Sequence, residues 1–195
     1  MMLTCRKDMG VNSTADLKGK TLGVWFYGNE YPFLSWMSRL GLKTDGSANG
    51  VTVLRQGWGV EPLTEGQAAC VSTMSYNEYW VVRDAGYSPE QLTVFKYQSE
   101  GAATLEDGLY VHEKNLSDAA FKDKMVRFVR ASMKGWKYAE ANPKEAAMII
   151  LDNDDAGVQT EKHQVRMMGE IAKLTAGSNG SLDPADYERT VKVLM

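Results

Sequence analysis

The sequence predicts an α/β fold followed by a helical region, on two observations. From about residue 20 to residue 104, segments typical of strands alternate with segments typical of helices, which predicts βαβ units and a mainly parallel sheet. Beyond about residue 110 the apolar residues follow helical spacing almost throughout, which predicts helices without strands.

The strands of the first half are short runs of apolar and β-branched residues. Glycines follow two of the helical segments, at Gly41 and Gly86, and glycine is typical of the residue that ends a helix. The predicted helices lie over 31–41, 61–68 and 75–85. The predicted strands lie over 20–26, 51–57, 70–74 and 92–97.

The second half contains one long amphipathic helix and three shorter ones. Apolar residues at helical spacing predict the long helix over 117–141. Asn142 and Pro143 are typical of the start of the next helix. A third helix is predicted over 158–175, and the last is predicted to start at Asp183-Pro184. These helices have apolar faces but no sheet of their own to cover.

Composition excludes several classes of protein. The formal charge of −3 over 195 residues argues against a nucleic-acid surface, which needs a basic stripe. No apolar run is long enough to span a bilayer, and the opening residues hold no apolar core of signal-peptide length. Cys5 and Cys70 are too few for a disulfide framework, and Cys70 is predicted to be a buried apolar residue. His112 and His163 share no metal-like spacing with the cysteines, so we expect no metal and no cofactor.

Two segments rich in aromatic and acidic residues follow predicted strands. They are VWFYGNEYPF (24–33) and TMSYNEYW (73–80), and both contain Asn-Glu-Tyr. In parallel α/β sheets, ligands bind at the carboxyl ends of the strands, so these residues would share one cleft if their strands are neighbours. The predicted ligand-binding residues are Tyr27, Asn29, Glu30, Tyr31, Tyr76, Asn77 and Glu78.

The types of these residues favour a neutral or cationic heteroaromatic ligand. Tyrosine rings stack on flat molecules, and a glutamate accepts hydrogen bonds from ring amino groups. Arg55 and Arg83 lie outside both segments, which argues against an anionic ligand. The same aromatic residues are also typical of side chains that cover the end of a core, so both interpretations stay open. Trp58 is left open in the same way, whereas Trp36, Trp80 and Trp136 are predicted to lie in the core.

Several segments in combination resemble the NMT1/THI5-like substrate-binding proteins of ABC importers. The segments are DLKGK (16–20), GNEYPF (28–33), TMSYNEYW (73–80) and ATLEDGLYV (103–111). The resemblance implies a type II periplasmic-binding-protein fold, with two α/β lobes that hold a ligand between them. It also implies a periplasmic location, an ABC permease as partner and hinge closure without chemistry. The aromatic and acidic strand ends favour the branch that binds pyrimidine precursors of thiamine.

The resemblance further implies an N-terminally truncated protein, because DLKGK normally introduces the second lobe. On this view the chain has one complete lobe and only the C-terminal helices of the other, so we expect weak ligand binding. Its exposed apolar helix faces would favour homo-oligomers. The implied divisions are a crossing and lead-in (1–19), the α/β lobe (20–104), a return crossing (105–116) and helices of the other lobe (117–195).

Three alternatives remain beside the importer function. Fungal relatives are enzymes that make the aminopyrimidine phosphate of thiamine biosynthesis from pyridoxal phosphate, but their cysteine-rich run is absent here, so we expect no enzyme. Other relatives bind nitrate, taurine or sulfonates. A purely structural or interaction role is the third possibility.

Overall fold

The computed structural model describes all residues, 1–195, and the chain divides into two compact units. The sheet unit comprises residues 1–105 and 183–195, and the helical unit comprises residues 106–182. This division differs from the predicted one at both ends of the chain. The first residues belong to the sheet, and the last helix belongs with the sheet unit.

The sheet unit is built on one five-stranded mixed sheet, in the order β3-β2-β4-β1-β5. Strand β2 pairs in parallel with both β3 and β4, as the alternating pattern predicts. The strands are β1 Met2–Arg6, β2 Thr21–Val24, β3 Thr52–Arg55, β4 Cys70–Thr73 and β5 Leu92–Lys96.

Strand β1 was not predicted as a strand. It lies inside the sheet and pairs antiparallel with β4 on one side and β5 on the other. Its residues Met2 to Cys5 are all buried. Because the strand has only five residues and polar residues follow it from Lys7 onward, its pattern is too short to identify it.

A disulfide joins the first strand to the fourth. Cys5 lies directly opposite Cys70 in the register of β1 and β4, and their sulfur atoms are bonded. Cys70 is buried, as predicted. Two cysteines are too few for a disulfide framework, but they form this single disulfide because strand β1 brings together two residues that are 65 positions apart.

Helices cover the sheet and connect its strands. Phe33, Trp36 and Met37 are buried on α1, in one core with residues of β1, β2, β4 and β5. Helix α7 packs against α1, and Thr190 Oγ1 accepts a hydrogen bond of 2.8 Å from the Leu105 backbone N–H. The helices of the sheet unit are α1 Glu30–Arg39, α2 Glu61–Thr64, α3 Glu78–Asp84 and, at the end of the chain, α7 Pro184–Leu194.

The helical unit contains α4 Ala119–Ala141, α5 Pro143–Asp152 and α6 Glu161–Thr175. The long helix forms as predicted, but none of its 23 residues is buried. Trp136, predicted to lie in the core, is 46% exposed. The segment 105–116 forms no strand, and a 3₁₀ turn at Glu113–Ser117 begins within it. No helix of the chain is both long enough and apolar enough to cross a membrane.

Candidate functional site

The carboxyl ends of three neighbouring parallel strands form one cavity in the sheet unit. Its volume is about 480 Å³. Strands β2, β3 and β4 each end at this edge, and the segments that follow them supply the walls. The lining residues are Trp25, Phe26, Tyr27, Asn29, Arg55, Gln56, Gly57, Trp58, Met74, Tyr76 and Glu78.

Two aromatic residues stand almost fully in solvent at this cavity. Trp58 is 97% exposed and Tyr27 is 89% exposed. Exposed rings of this size cover no core, so for Trp58 the wall interpretation replaces the core interpretation. Trp25 is held beside them, because its indole Nε1 donates a hydrogen bond of 2.9 Å to the carbonyl of Gly57. With Phe26 and Tyr76, five rings line the cavity.

Tyr27 adopts a backbone conformation that tyrosine rarely takes. Its φ is +64°, and it is the only residue other than glycine with a positive φ. This left-handed conformation costs a residue with a Cβ about 1 kcal/mol or more. Gly28 follows with φ +108°, so the chain reverses sharply after β2 and places the Tyr27 ring at the cavity. Strained residues of this kind cluster at functional sites.

A buried glutamine forms a polar base beneath the cavity. Gln56 is 5% exposed, and its Nε2 donates to the carbonyl of Ser72 at 2.9 Å while its Oε1 accepts from the Ser72 N–H at 2.8 Å. These bonds cross β2, which lies between β3 and β4. A Cβ at Gly23 would lie 3.3 Å from Gln56 Oε1 and 3.0 Å from Val71 Cγ1. Glycine in the middle of β2 therefore leaves the space that Gln56 needs.

The two Asn-Glu-Tyr segments occupy equivalent positions before α1 and α3. In each segment the glutamate is the first helical residue and folds back on the preceding loop. Glu30 Oε2 accepts from the Gly28 N–H at 2.7 Å. Glu78 Oε2 accepts from the Met74 N–H at 2.8 Å, and its Oε1 accepts from Asn77 Nδ2 at 2.7 Å. Both glutamates therefore shape the turns that carry the aromatic rings.

The structure brings together four of the seven predicted binding residues. Tyr27, Asn29, Tyr76 and Glu78 line the cavity. The other three, Glu30, Tyr31 and Asn77, lie in the same turns but do not line it. Because β2 and β4 are neighbours, the two segments do meet at one edge of the sheet, as the sequence argument requires. Their role in binding stays a prediction.

Four lining residues from the end of β3 were not among the predicted binding residues: Arg55, Gln56, Gly57 and Trp58. Arg55 was set aside because it lies outside the aromatic segments, and Trp58 was left open. The strand order brings Arg55 and Trp58 to the cavity, since β3 is the other neighbour of β2. A rule that treats every parallel strand end alike would have included them. No group of three or more histidine, cysteine, aspartate or glutamate side chains is arranged to hold a metal ion.

Comparison with protein families finds a match that covers the whole cavity. The model of the family described as NMT1/THI5 like matches residues 1–146. The chain belongs to the NMT1/THI5-like family. This family has the type II periplasmic-binding-protein fold, and the mixed α/β architecture seen here agrees with it. A comparison with curated proteins finds no match. Family membership supports a binding or thiamine-related role in general terms.

Proposed function

We propose that this NMT1/THI5-like chain is a solute-binding component of an ABC importer and binds a small heteroaromatic compound. The observation that carries the proposal is the cavity of about 480 Å³ at the ends of three parallel strands, lined by five aromatic rings. Cavities of this size accommodate small organic ligands, and flat ring systems gain stacking energy on aromatic walls. A pyrimidine is a compound of the right size and shape.

The ligand would be held by stacking and by a few polar groups. Tyr27 and Trp58 would stack on the ring, since both are exposed at the cavity. Asn29 offers an amide oxygen and an amide N–H₂ group, although its Nδ2 already donates to the Phe26 carbonyl at 3.2 Å. Glu78 would accept from a ring amino group through the lone pairs that its two intrachain hydrogen bonds leave available. Glu30 and Tyr31 would contribute indirectly, through the turn before α1.

A periplasmic location and an ABC permease as partner belong to the same proposal. The disulfide between Cys5 and Cys70 supports it, because structural disulfides are typical of oxidising compartments. The alternative enzymatic function has less support, because the cysteine-rich run of the fungal enzymes does not occur in this sequence. The expected homo-oligomer stays a prediction.

The test is a titration of the full chain with 4-aminopyrimidine, followed by the indole N–H signals of its five tryptophans in two-dimensional NMR. The signals of Trp25 and Trp58 should shift, while that of Trp136 in the helical unit should not.

The matched variants are Trp58→Ala and Trp136→Ala. Loss of one stacking ring should weaken binding by about 0.5–1.5 kcal/mol in Trp58→Ala and leave it unchanged in Trp136→Ala. If no indole signal moves at saturating 4-aminopyrimidine, or if all five move equally, the proposal is wrong.

A further inference from the structure

The cavity contains a cation that the proposed function does not use. Arg55 is the last residue of β3 and is exposed at the cavity wall. Its guanidinium carbon lies 4.8 Å from the ring centroid of Tyr27 and 5.7 Å from that of Phe26, and Nη2 donates a hydrogen bond to the Tyr27 hydroxyl. Two aromatic side chains therefore hold the guanidinium group in place.

Arg55 has no carboxylate partner. Other arginines of the chain do pair with carboxylates, such as Arg6 with Asp8 at 2.7 Å and Arg127 with Asp123 at 2.9 Å. The only acidic residue that lines the cavity is Glu78, whose two oxygens accept hydrogen bonds from its own segment. A guanidinium group has five N–H donors, and the chain uses one of those of Arg55. Arg55 thus presents a positive charge that is not paired with a carboxylate, and it has N–H donors available to a ligand.

A guanidinium group matches the oxygens of a carboxylate or phosphate, because two parallel N–H groups reach two oxygens at once. The contact with Tyr27 limits the rotation of the Arg55 side chain, so less conformational entropy is lost when an anion binds. The aromatic walls and the cation together select a ring that bears a negative group. This reverses the expectation of a neutral or cationic ligand, which depended on placing Arg55 outside the site.

We infer that the compound bound here is a planar heteroaromatic ring that carries an oxyanion, with Arg55 binding the oxyanion. The inference rests on the proposed function and narrows its ligand class. The rings beside Arg55 hold the heterocycle, and Arg55 discriminates between a charged substituent and a neutral one of the same shape.

The experiment compares two derivatives of 4-aminopyrimidine that differ in charge. One bears a carboxylate group on the ring, and the other bears a carboxamide group at the same ring position. Each is titrated into the wild-type chain and into Arg55→Gln, Arg55→Lys and Lys18→Gln, with the indole N–H signals as readout. Lys18 is exposed and precedes β2, so Lys18→Gln removes the same charge at the opposite end of the strands. Thermal unfolding of each variant checks that it is folded.

The wild-type chain should bind the carboxylate about tenfold more tightly than the carboxamide, as expected for one charge-assisted hydrogen-bond pair. Arg55→Gln should abolish this preference, because it should weaken binding of the carboxylate about tenfold more than binding of the carboxamide. Arg55→Lys should keep part of the preference, and Lys18→Gln should keep all of it.

Two results would overturn the inference and leave the proposed function intact. One is equal binding of carboxylate and carboxamide by the wild-type chain. The other is an equal loss of both compounds in Arg55→Gln, which would mean that Arg55 only positions the Tyr27 ring. If neither these compounds nor 4-aminopyrimidine binds, the proposed function fails together with the inference.

Discussion

The sheet unit and the helical unit bury apolar side chains to very different degrees, although both contain amphipathic helices. In the sheet unit, α1 buries Phe33, Trp36 and Met37 against the sheet. In the helical unit the buried core is limited to Ala146, Ala147 and Met168, where α5 meets α6. A helix becomes a stable part of a core only when another surface covers its apolar face.

The contacts between α4 and α5 illustrate the difference. A hydrogen bond between the side chains of Tyr138 and Glu145, on the two helices, raises the pKa of the Tyr138 phenol above its ordinary value. On α4 itself Val126, Phe128 and Val129 are exposed by 44–55%. A polar contact in solvent contributes little to stability compared with buried apolar area. We therefore expect the helical unit to unfold more easily than the sheet unit.

The largest expected effect is a difference in stability loss when a phenylalanine of each unit is replaced by alanine. Phe33 is fully buried, whereas Phe128 is 55% exposed. Phe33→Ala should lower the free energy of unfolding of the sheet unit by about 3–5 kcal/mol. Phe128→Ala should change stability by no more than about 0.5 kcal/mol. Urea unfolding followed by circular dichroism measures both.

Similar losses in the free energy of unfolding of the two phenylalanine variants would contradict the difference in burial between the two units. They would mean that α4 is covered in solution by a surface that buries Phe128. Light scattering on the wild-type chain would then identify whether that surface belongs to a second copy.

A smaller effect is expected from the disulfide, which lies entirely in the sheet unit. The double variant Cys5→Ala/Cys70→Ala should lower the free energy of unfolding by about 2–4 kcal/mol, because the disulfide restricts the unfolded chain. Hydrogen exchange should rise in β1 and β4 and stay unchanged in α4. As the control, dithiothreitol should destabilise the wild-type chain but not the double variant. Two free thiols in the unfolded, unreduced wild-type chain would disprove the pairing.

The smallest effect concerns the start of α4 in the helical unit. Asp118 caps this helix, since its Oδ1 accepts from the N–H of Ala120 at 2.8 Å and of Phe121 at 3.4 Å. Asp118→Ala should destabilise α4 by about 1 kcal/mol, seen as faster hydrogen exchange in α4 alone. The matched control is Asp123→Ala, which removes an exposed ion pair with Arg127 that contributes about 0.5 kcal/mol or less. Equal effects of the two substitutions would show that the cap does not stabilise the helix.

Much of the fold could be predicted because it depends on local patterns. Strands β2 to β5 and the helices α1 and α4 to α7 lie where periodicity and turn residues place them. Strand β1 could not be predicted, since five residues give too short a pattern and its pairing partners lie about 65 to 95 residues away. The exposure of α4 could not be predicted either. Amphipathic spacing shows which face of a helix is apolar, but it does not show whether another surface covers that face.

The site was predictable to the extent that it follows two segments of unusual composition. Tyr27, Asn29, Tyr76 and Glu78 come from those segments and line the cavity. Arg55 and Trp58 come from a third strand end of ordinary composition. Only the strand order, in which β3 lies beside β2, brings them to the same cavity.

By itself the sequence determined the elements other than β1, the aromatic strand ends and the family of the chain, since these depend on residues close together or on motifs read directly. The tertiary structure alone decided three further properties: the disulfide, the position of Arg55 at the cavity and the uncovered face of α4. Each depends on residues that are distant in the sequence and adjacent in space. Local propensity carries no information about such neighbours, because strand pairing and helix docking bring them together.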